Sequence, residues 1–115
     1  MRVAFALVFT AMLAALPLPA ATASDADTLY ARLGSAPGVA YVADTLIDRV
    51  VADPRTSRSF KDSNLALVKK HLAQQLCQLS GGDCAYEGDT MRDVHAGHAI
   101  TEAELYAMVE ILEGI

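Results

Sequence analysis

The sequence predicts an all-α domain. Three observations carry this: apolar residues recur at steps of three and four in three separate stretches, two threonine caps precede short helical runs, and no stretch alternates apolar and polar residues as a strand would. No turn dipeptide of the hairpin kind stands between apolar runs.

The first 23 residues stand apart from that domain. Met1-Arg2 supplies one positive charge, Val3 to Leu16 is almost unbroken apolar sequence, and Pro17, Pro19 and Ala21-Thr22-Ala23 follow. A short basic start, an apolar core, a breaker and a small-x-small site together describe a secretory signal peptide. The apolar run is short for a membrane span. Cleavage is therefore expected after Ala23, leaving a domain over residues 24–115 that is periplasmic or secreted and has no stable membrane insertion after cleavage. An uncleaved N-terminal anchor is the other reading.

Of 115 residues, 53% are hydrophobic, a share raised by the leader. Nine basic and 14 acidic side chains leave a formal charge of −5, and Arg2 is the only charge within the leader. An acidic, evenly spread balance argues against nucleic acid and anionic membrane surfaces as partners. A domain of this size buries one modest core and is marginal without a core-filling ligand or a crosslink.

The elements follow in order. Asp25 to Leu33 reads as a first helix, with Leu29, Tyr30 and Leu33 at helical spacing and Gly34 ending it. A second runs from about Gly38 to Ala52, its face built by Val39, Val42, Ala43, Leu46, Ile47 and Val50, and Asp53-Pro54 ends it. Thr56 to Ser63 is polar except for Phe60, an aromatic placed to anchor the loop to the core. The third helix, about Leu65 to Leu79, presents Leu65, Val68, Leu72, Leu76 and Leu79, and Gly81-Gly82 stops it. After a loop through Cys84, Tyr86 and Gly88 comes a short helix, about Thr90 to Ala96. It opens with Thr90 and Asp93 in capping-box spacing and is followed by Gly97. A second capping pair, Thr101 and Glu104, opens the last helix, with an expected face of Leu105, Met108, Val109 and Leu112.

Two cysteines, Cys77 and Cys84, lie in the exported part with Gly81-Gly82 between them. Export favours oxidation, so a Cys77–Cys84 disulfide is the leading reading, against two separate thiols. The metal and acid-base candidates are His71, His95 and His98. There is no phosphate-binding glycine loop and no CxxCH for covalent haem attachment. Met91 and His95, four apart, share a helix face, which sets an imidazole among apolar neighbours. A lone histidine in that setting is more often a satisfied core residue than a ligand. A zinc pair of His95 and His98 with acids such as Asp93 is a third, weaker reading.

MRDVHAGHAITEAEL, residues 91–105, resembles the proximal segment of group I truncated haemoglobins. LYARLGSAPGV (29–39), DRVVADPR (48–55) and LCQLSGGDCAYEGDTM (76–91) resemble the same family in order, so the likeness covers nearly all of residues 24–115. It implies a 2-on-2 truncated globin fold, haem b as cofactor, and reversible binding of O2, CO or NO. NO dioxygenase or peroxidase-like activity is compatible with it, but nothing in the sequence selects either. By the same resemblance His95 is the proximal iron ligand and Met91 shares its face. Phe60 packs on the haem, and Tyr86 lies beside the proximal helix. Ile47, Val68 and Leu72 face the distal side. Lys69 and Lys70 are candidate propionate partners because an ammonium suits an acid group at a pocket rim, with plain solvation the other reading.

Many family members carry tyrosine where Ile47 stands and glutamine where Leu72 stands, both donors to bound gas. With neither donor, weaker O2 retention and easier oxidation are expected, and CO and NO lose less. His71 matches a position that supplies a second iron ligand in some relatives. It lies about 100° off the centre of the third helix's apolar face, so contact with solvent or a propionate is expected ahead of ligation. The family continues into one more long helix that walls the pocket. This sequence stops at Ile115, so that wall is expected to be missing or shortened, exposing Leu105, Val109 and Leu112. The alternative function is a disulfide-stapled helical interaction domain that no longer binds haem.

Overall fold

A computed structural model describes residues 14–18 and 25–115, and the expected cleavage point after Ala23 lies outside them. The described residues form helices and loops with no strand. None of their helices is long and apolar enough to cross a membrane. A 3-10 turn at Asp25–Asp27 precedes α1 (Leu29–Arg32), α2 (Ser35–Ala52), a second 3-10 turn at Ser57–Phe60, α3 (Leu65–Ser80), α4 (Met91–His95) and α5 (Glu102–Glu113).

The expected first helix is split. Thr28 is extended (φ −70°, ψ 151°) and its side chain accepts from the Ala31 amide, so it caps a new helix instead of continuing the old one. Gly34, at φ 97°, then turns the chain into α2, which starts three residues earlier than the apolar pattern suggested. Pro37 sits in the first turn of α2, where a missing N–H costs nothing. A Cβ at Gly38 would overlap the Leu33 carbonyl oxygen, so only glycine allows α1 to end this close to α2.

α2 is the centre of the core. Val39, Ala43, Leu46, Ile47 and Val50, one helical stripe, are all buried. Phe60, Leu65, Val68, Leu72, Met108 and Ile111 pack against Leu46, Ile47 and Val50, which joins the second 3-10 turn, α3 and α5 to α2. Thr56 is buried and its hydroxyl donates to the Val50 carbonyl at 2.7 Å, satisfying a polar group at the foot of α2.

Two expected faces are corrected. On α3, Leu79 is 76% exposed while Cys77 and Ser80 are buried. α3 packs mainly on α2, but its last turn meets α1, with Thr28 and Tyr30 against Gly81 and Gly82. The covered side therefore rotates along the helix, and a single stripe read from its start misplaces its end. On α5 the seated face is Ala107, Met108 and Ile111, not the whole of the expected stripe. Leu105 (50%), Val109 (42%) and Leu112 (40%) stand exposed, which matches the exposure expected of these three. Two ion pairs accompany this rotation: Arg55 Nη1 meets Glu110 Oε2 at 2.9 Å and Arg58 Nη2 meets Glu104 Oε1 at 2.7 Å.

Candidate functional site

His95 is the last residue of α4, a five-residue helix capped by the Thr90 hydroxyl, which accepts from the Asp93 amide at 3.2 Å. No α4 residue is buried. The ring is oriented all the same: His95 Nδ1 lies 2.6 Å from the Met91 carbonyl oxygen. A carbonyl only accepts, so Nδ1 carries the proton and donates, and the Nε2 lone pair is left to bind something else. Met91, Val94, Ile100, Leu105 and Val109, along α4, the next loop and α5, are all exposed.

The residues expected on the distal side are brought together. Ile47 is buried, and Phe60, Val68 and Leu72 pack against the cluster it belongs to. None of the four carries a hydrogen-bond donor on its side chain. An open recess of about 360 Å³ adjoins Phe60, lined also by Val51, Leu65, Arg58 and Lys61, and His95 is not part of its wall.

His71 lies elsewhere than in an open pocket. Its ring meets Tyr86 edge-on, with centroids 5.9 Å apart and planes at 71°. A Cβ at Gly88 would collide with the Tyr86 hydroxyl and crowd His71 Nδ1, so glycine is needed for this packing. Tyr86 donates to the Asp89 carbonyl at 2.7 Å and thus packs on α3 through His71. Lys70, His71, Gln74 and Cys77 form one stripe on α3 that receives the loop leading to α4. Cys77 and Cys84 are joined in a disulfide with Cα atoms 6.0 Å apart. Gln74 Nε2 donates to Glu87 Oε2 at 2.8 Å, and the Glu87 amide donates to Gln74 Oε1 at 3.1 Å. Lys70 Nζ pairs with Glu87 at 3.1 Å, and Lys69 Nζ with Asp48 at 2.7 Å, so both expected propionate partners already hold carboxylates. Among the described residues no three metal-ligating side chains come together, which gives the zinc reading no support.

Arg58 is the residue that sequence reasoning missed. Its guanidinium donates to the His98 carbonyl (3.1 Å), the Ala99 carbonyl (3.3 Å) and the Glu104 carboxylate (2.7–2.9 Å). Partners 40 to 46 residues away leave no trace in local spacing. Glu104 was legible only as a helix cap, and it does complete a capping box with Thr101. The Thr101 amide, and then Arg58, hold the Glu104 carboxyl below the usual carboxylate range. The unfolded chain takes up this proton near pH 4.3 (about the ordinary glutamate value), the folded chain only at lower pH. The stabilisation is therefore complete above that value and lost as pH falls through the folded one. The gap in Tm between the natural protein and Glu104→Gln is expected to hold steady from neutral pH to about 5 and to narrow as pH falls below the ordinary glutamate value. A gap that widens on acidification would contradict this.

Residues 28–114 match the bacterial-like globin family. A group 1 truncated hemoglobin, GlbN, of Synechocystis sp. is 34% identical over 69 residues, which cover 60% of this chain and 56% of that protein. The chain thus spans just over half the length of that relative. The group 1 truncated hemoglobin of Tetrahymena thermophila is 27% identical over 74% of this chain and 70% of its own length. Among solved structures, the truncated hemoglobin of Tetrahymena pyriformis in its Fe(III) form superposes with a TM-score of 0.71 at 26% identity, covering 76% of this chain and 75% of that one. The 2/2 hemoglobin of Synechococcus sp., solved in the cyanomet state with covalently attached heme, gives 0.67 at 28%, covering 74% and 72%.

Proposed function

This chain belongs to the bacterial-like globin family, and on that premise we propose that it holds haem b through His95 Nε2 and reversibly binds a diatomic gas, O2, CO or NO, in the periplasm or outside the cell. The hydrogen bond from His95 Nδ1 to the Met91 carbonyl carries this reading. It sets the tautomer, aims the ring, and makes Nε2 the better donor. When bound by His95, haem would supply the iron that takes up the gas. The protein's part is to orient and to exclude water. Met91, Val94 and Ile100 stand exposed within five residues of His95 in the sequence, and in this reading Phe60, Val68, Leu72 and Ile47 would form the dry side that faces the gas. The place proposed for the protein rests on the leader at residues 1–23.

The wall formed by Ile47, Val68 and Leu72 offers gas no hydrogen bond, which favours CO and NO over the more dipolar O2 complex. Leu72→Gln is expected to restore a donor worth about 1–3 kcal/mol. O2 release should slow by roughly 10- to 100-fold with CO release changing much less, as stopped-flow displacement would show. Equal effects on both gases would contradict a donor role.

Haemin titration of the chain tests the whole reading: a sharp Soret band saturating at one equivalent is expected. A helical chain that takes up no haemin would overturn it. That outcome would leave the interaction-domain alternative, which the exposed Leu105, Val109 and Leu112 face favours.

A further inference from the structure

We infer that Arg58 is a positioning residue: it fixes the segment that follows His95 to the turn whose Phe60 packs on the Ile47 cluster, and so sets where the imidazole stands relative to that cluster. The inference rests on His95 being the iron ligand. α4 cannot place itself, because it is five residues long and buries none of them. It hangs between two anchors. On its N-terminal side the loop is held to α3 by the Cys77–Cys84 disulfide and the Gln74–Glu87 pair. On its C-terminal side Arg58 binds the carbonyls of His98 and Ala99, three and four residues beyond His95.

Arg58 itself lies in the Ser57–Phe60 turn, two residues before Phe60, which packs on the Ile47 cluster. One rigid fork of donors thus touches three points at once: two loop carbonyls and the carboxylate that caps α5. The loop it holds is strained. Gly97 is at φ 79° and Ala99, a residue with a Cβ, is at φ 48°. A left-handed alanine persists only where its surroundings enforce it, and the Ala99 carbonyl is one of the groups that Arg58 grips.

Arg55 provides a matched control. It too joins the end of α2 to α5, through Asp53 at 2.8 Å and Glu110 at 2.9 Å, and none of the bonds it makes reaches residues 96–100. Both side chains are about half exposed (49% for Arg55, 56% for Arg58). Pairs of that kind contribute little to overall stability, so Arg58→Gln and Arg55→Gln are both expected to fold.

The experiment compares these two variants and Arg58→Lys with the natural protein, each reconstituted with haemin. It reads the iron–histidine stretching band of the ferrous form by resonance Raman, and the rate of haemin transfer to apomyoglobin. It also follows amide exchange of the haem-free chain at Val94, Ala96 and His98, whose amides bond back to the Thr90, Asp93 and His95 carbonyls. Arg58→Gln is expected to shift or broaden the band, to speed haemin loss about tenfold or more, as when a ligand's supporting partner is removed, and to speed exchange at the three amides. Arg58→Lys is expected to rescue none of this, since an ammonium keeps the charge and loses the fork. Arg55→Gln should match the natural protein in all three readouts. If both variants shift alike, or if Arg58→Gln shifts nothing while the natural protein shows a His95-dependent band, the positioning role is overturned and the haem reading stands. If the natural protein takes up no haemin, both are overturned.

Discussion

His95→Ala is expected to remove the sharp Soret band of the haemin-reconstituted chain while the far-UV helical signal stays unchanged. The separation of the two signals follows from where the residue stands. His95 is exposed at the end of a helix with no buried residue, so truncating it changes stability by no more than about 0.5 kcal/mol, as at other surface sites. Its loss as a ligand is a different matter, because the Nδ1–Met91 carbonyl bond leaves Nε2 as the ring nitrogen with a free lone pair. Free haemin still adheres to the apolar surface of the variant but without a defined fifth ligand, so a broad, weak band is expected, and millimolar imidazole should restore the sharp one. His71→Ala is the companion measurement. Held edge-on by Tyr86 beside Gly88, His71 would have to leave that contact to reach a metal. The coordination state of the ferric protein is therefore expected to be the same with and without it. A six-coordinate spectrum that becomes five-coordinate in His71→Ala would instead show ligation by both histidines. A sharp band that survives His95→Ala would end the proposal for His95.

The double variant Cys77→Ser/Cys84→Ser is expected to lower stability by about 2–3 kcal/mol, the chain-entropy value for so short a closed loop. For a domain of this size that corresponds to a fall in Tm of roughly 10 °C or more. The effect should also reach the site. Without the crosslink, the loop that feeds α4 keeps the Gln74–Glu87 and Lys70–Glu87 contacts, and these are exposed. Faster haemin loss is therefore expected together with the lower Tm, and reductant should reproduce both in the natural protein. An unchanged Tm under reductant would show that packing of α1 on the end of α3 holds that region unaided.

Much of the fold was legible, and the reasons are local. Gly34, Asp53-Pro54 and Gly81 ended helices where expected, because the left-handed or extended backbone they favour is decided within a few residues. Thr90 and Thr101 cap the two short C-terminal helices through hydroxyls that accept from amides three residues on. Periodicity placed the α2 stripe correctly because α2 is covered along its whole length. It failed at Leu79 and on α5, where the covering partner changes or covers only one of two apolar faces. Of the candidate site, the spacing of Met91 and His95 put their side chains on one helix face, while the bond that orients the imidazole goes to the backbone carbonyl of Met91 and does not depend on its side chain. The assembly of Ile47, Phe60, Val68 and Leu72 came from resemblance, since periodicity alone makes each a core residue of any helical domain.

From the chain alone, then, came the helical order, the caps, the cysteine pair and the histidine with its methionine partner. Each of these is settled by bonds between residues fewer than eight apart, which a linear pattern records. Tertiary structure decided which face of α5 is seated, that His71 turns to Tyr86, and that Arg58 grips the segment after His95. Those outcomes depend on side chains that meet across tens of residues, from Arg58 to Glu104 and from Arg49 to the Gly114 carbonyl. A charged side chain on a surface has many such partners within reach, and only the packed position of the helices selects one.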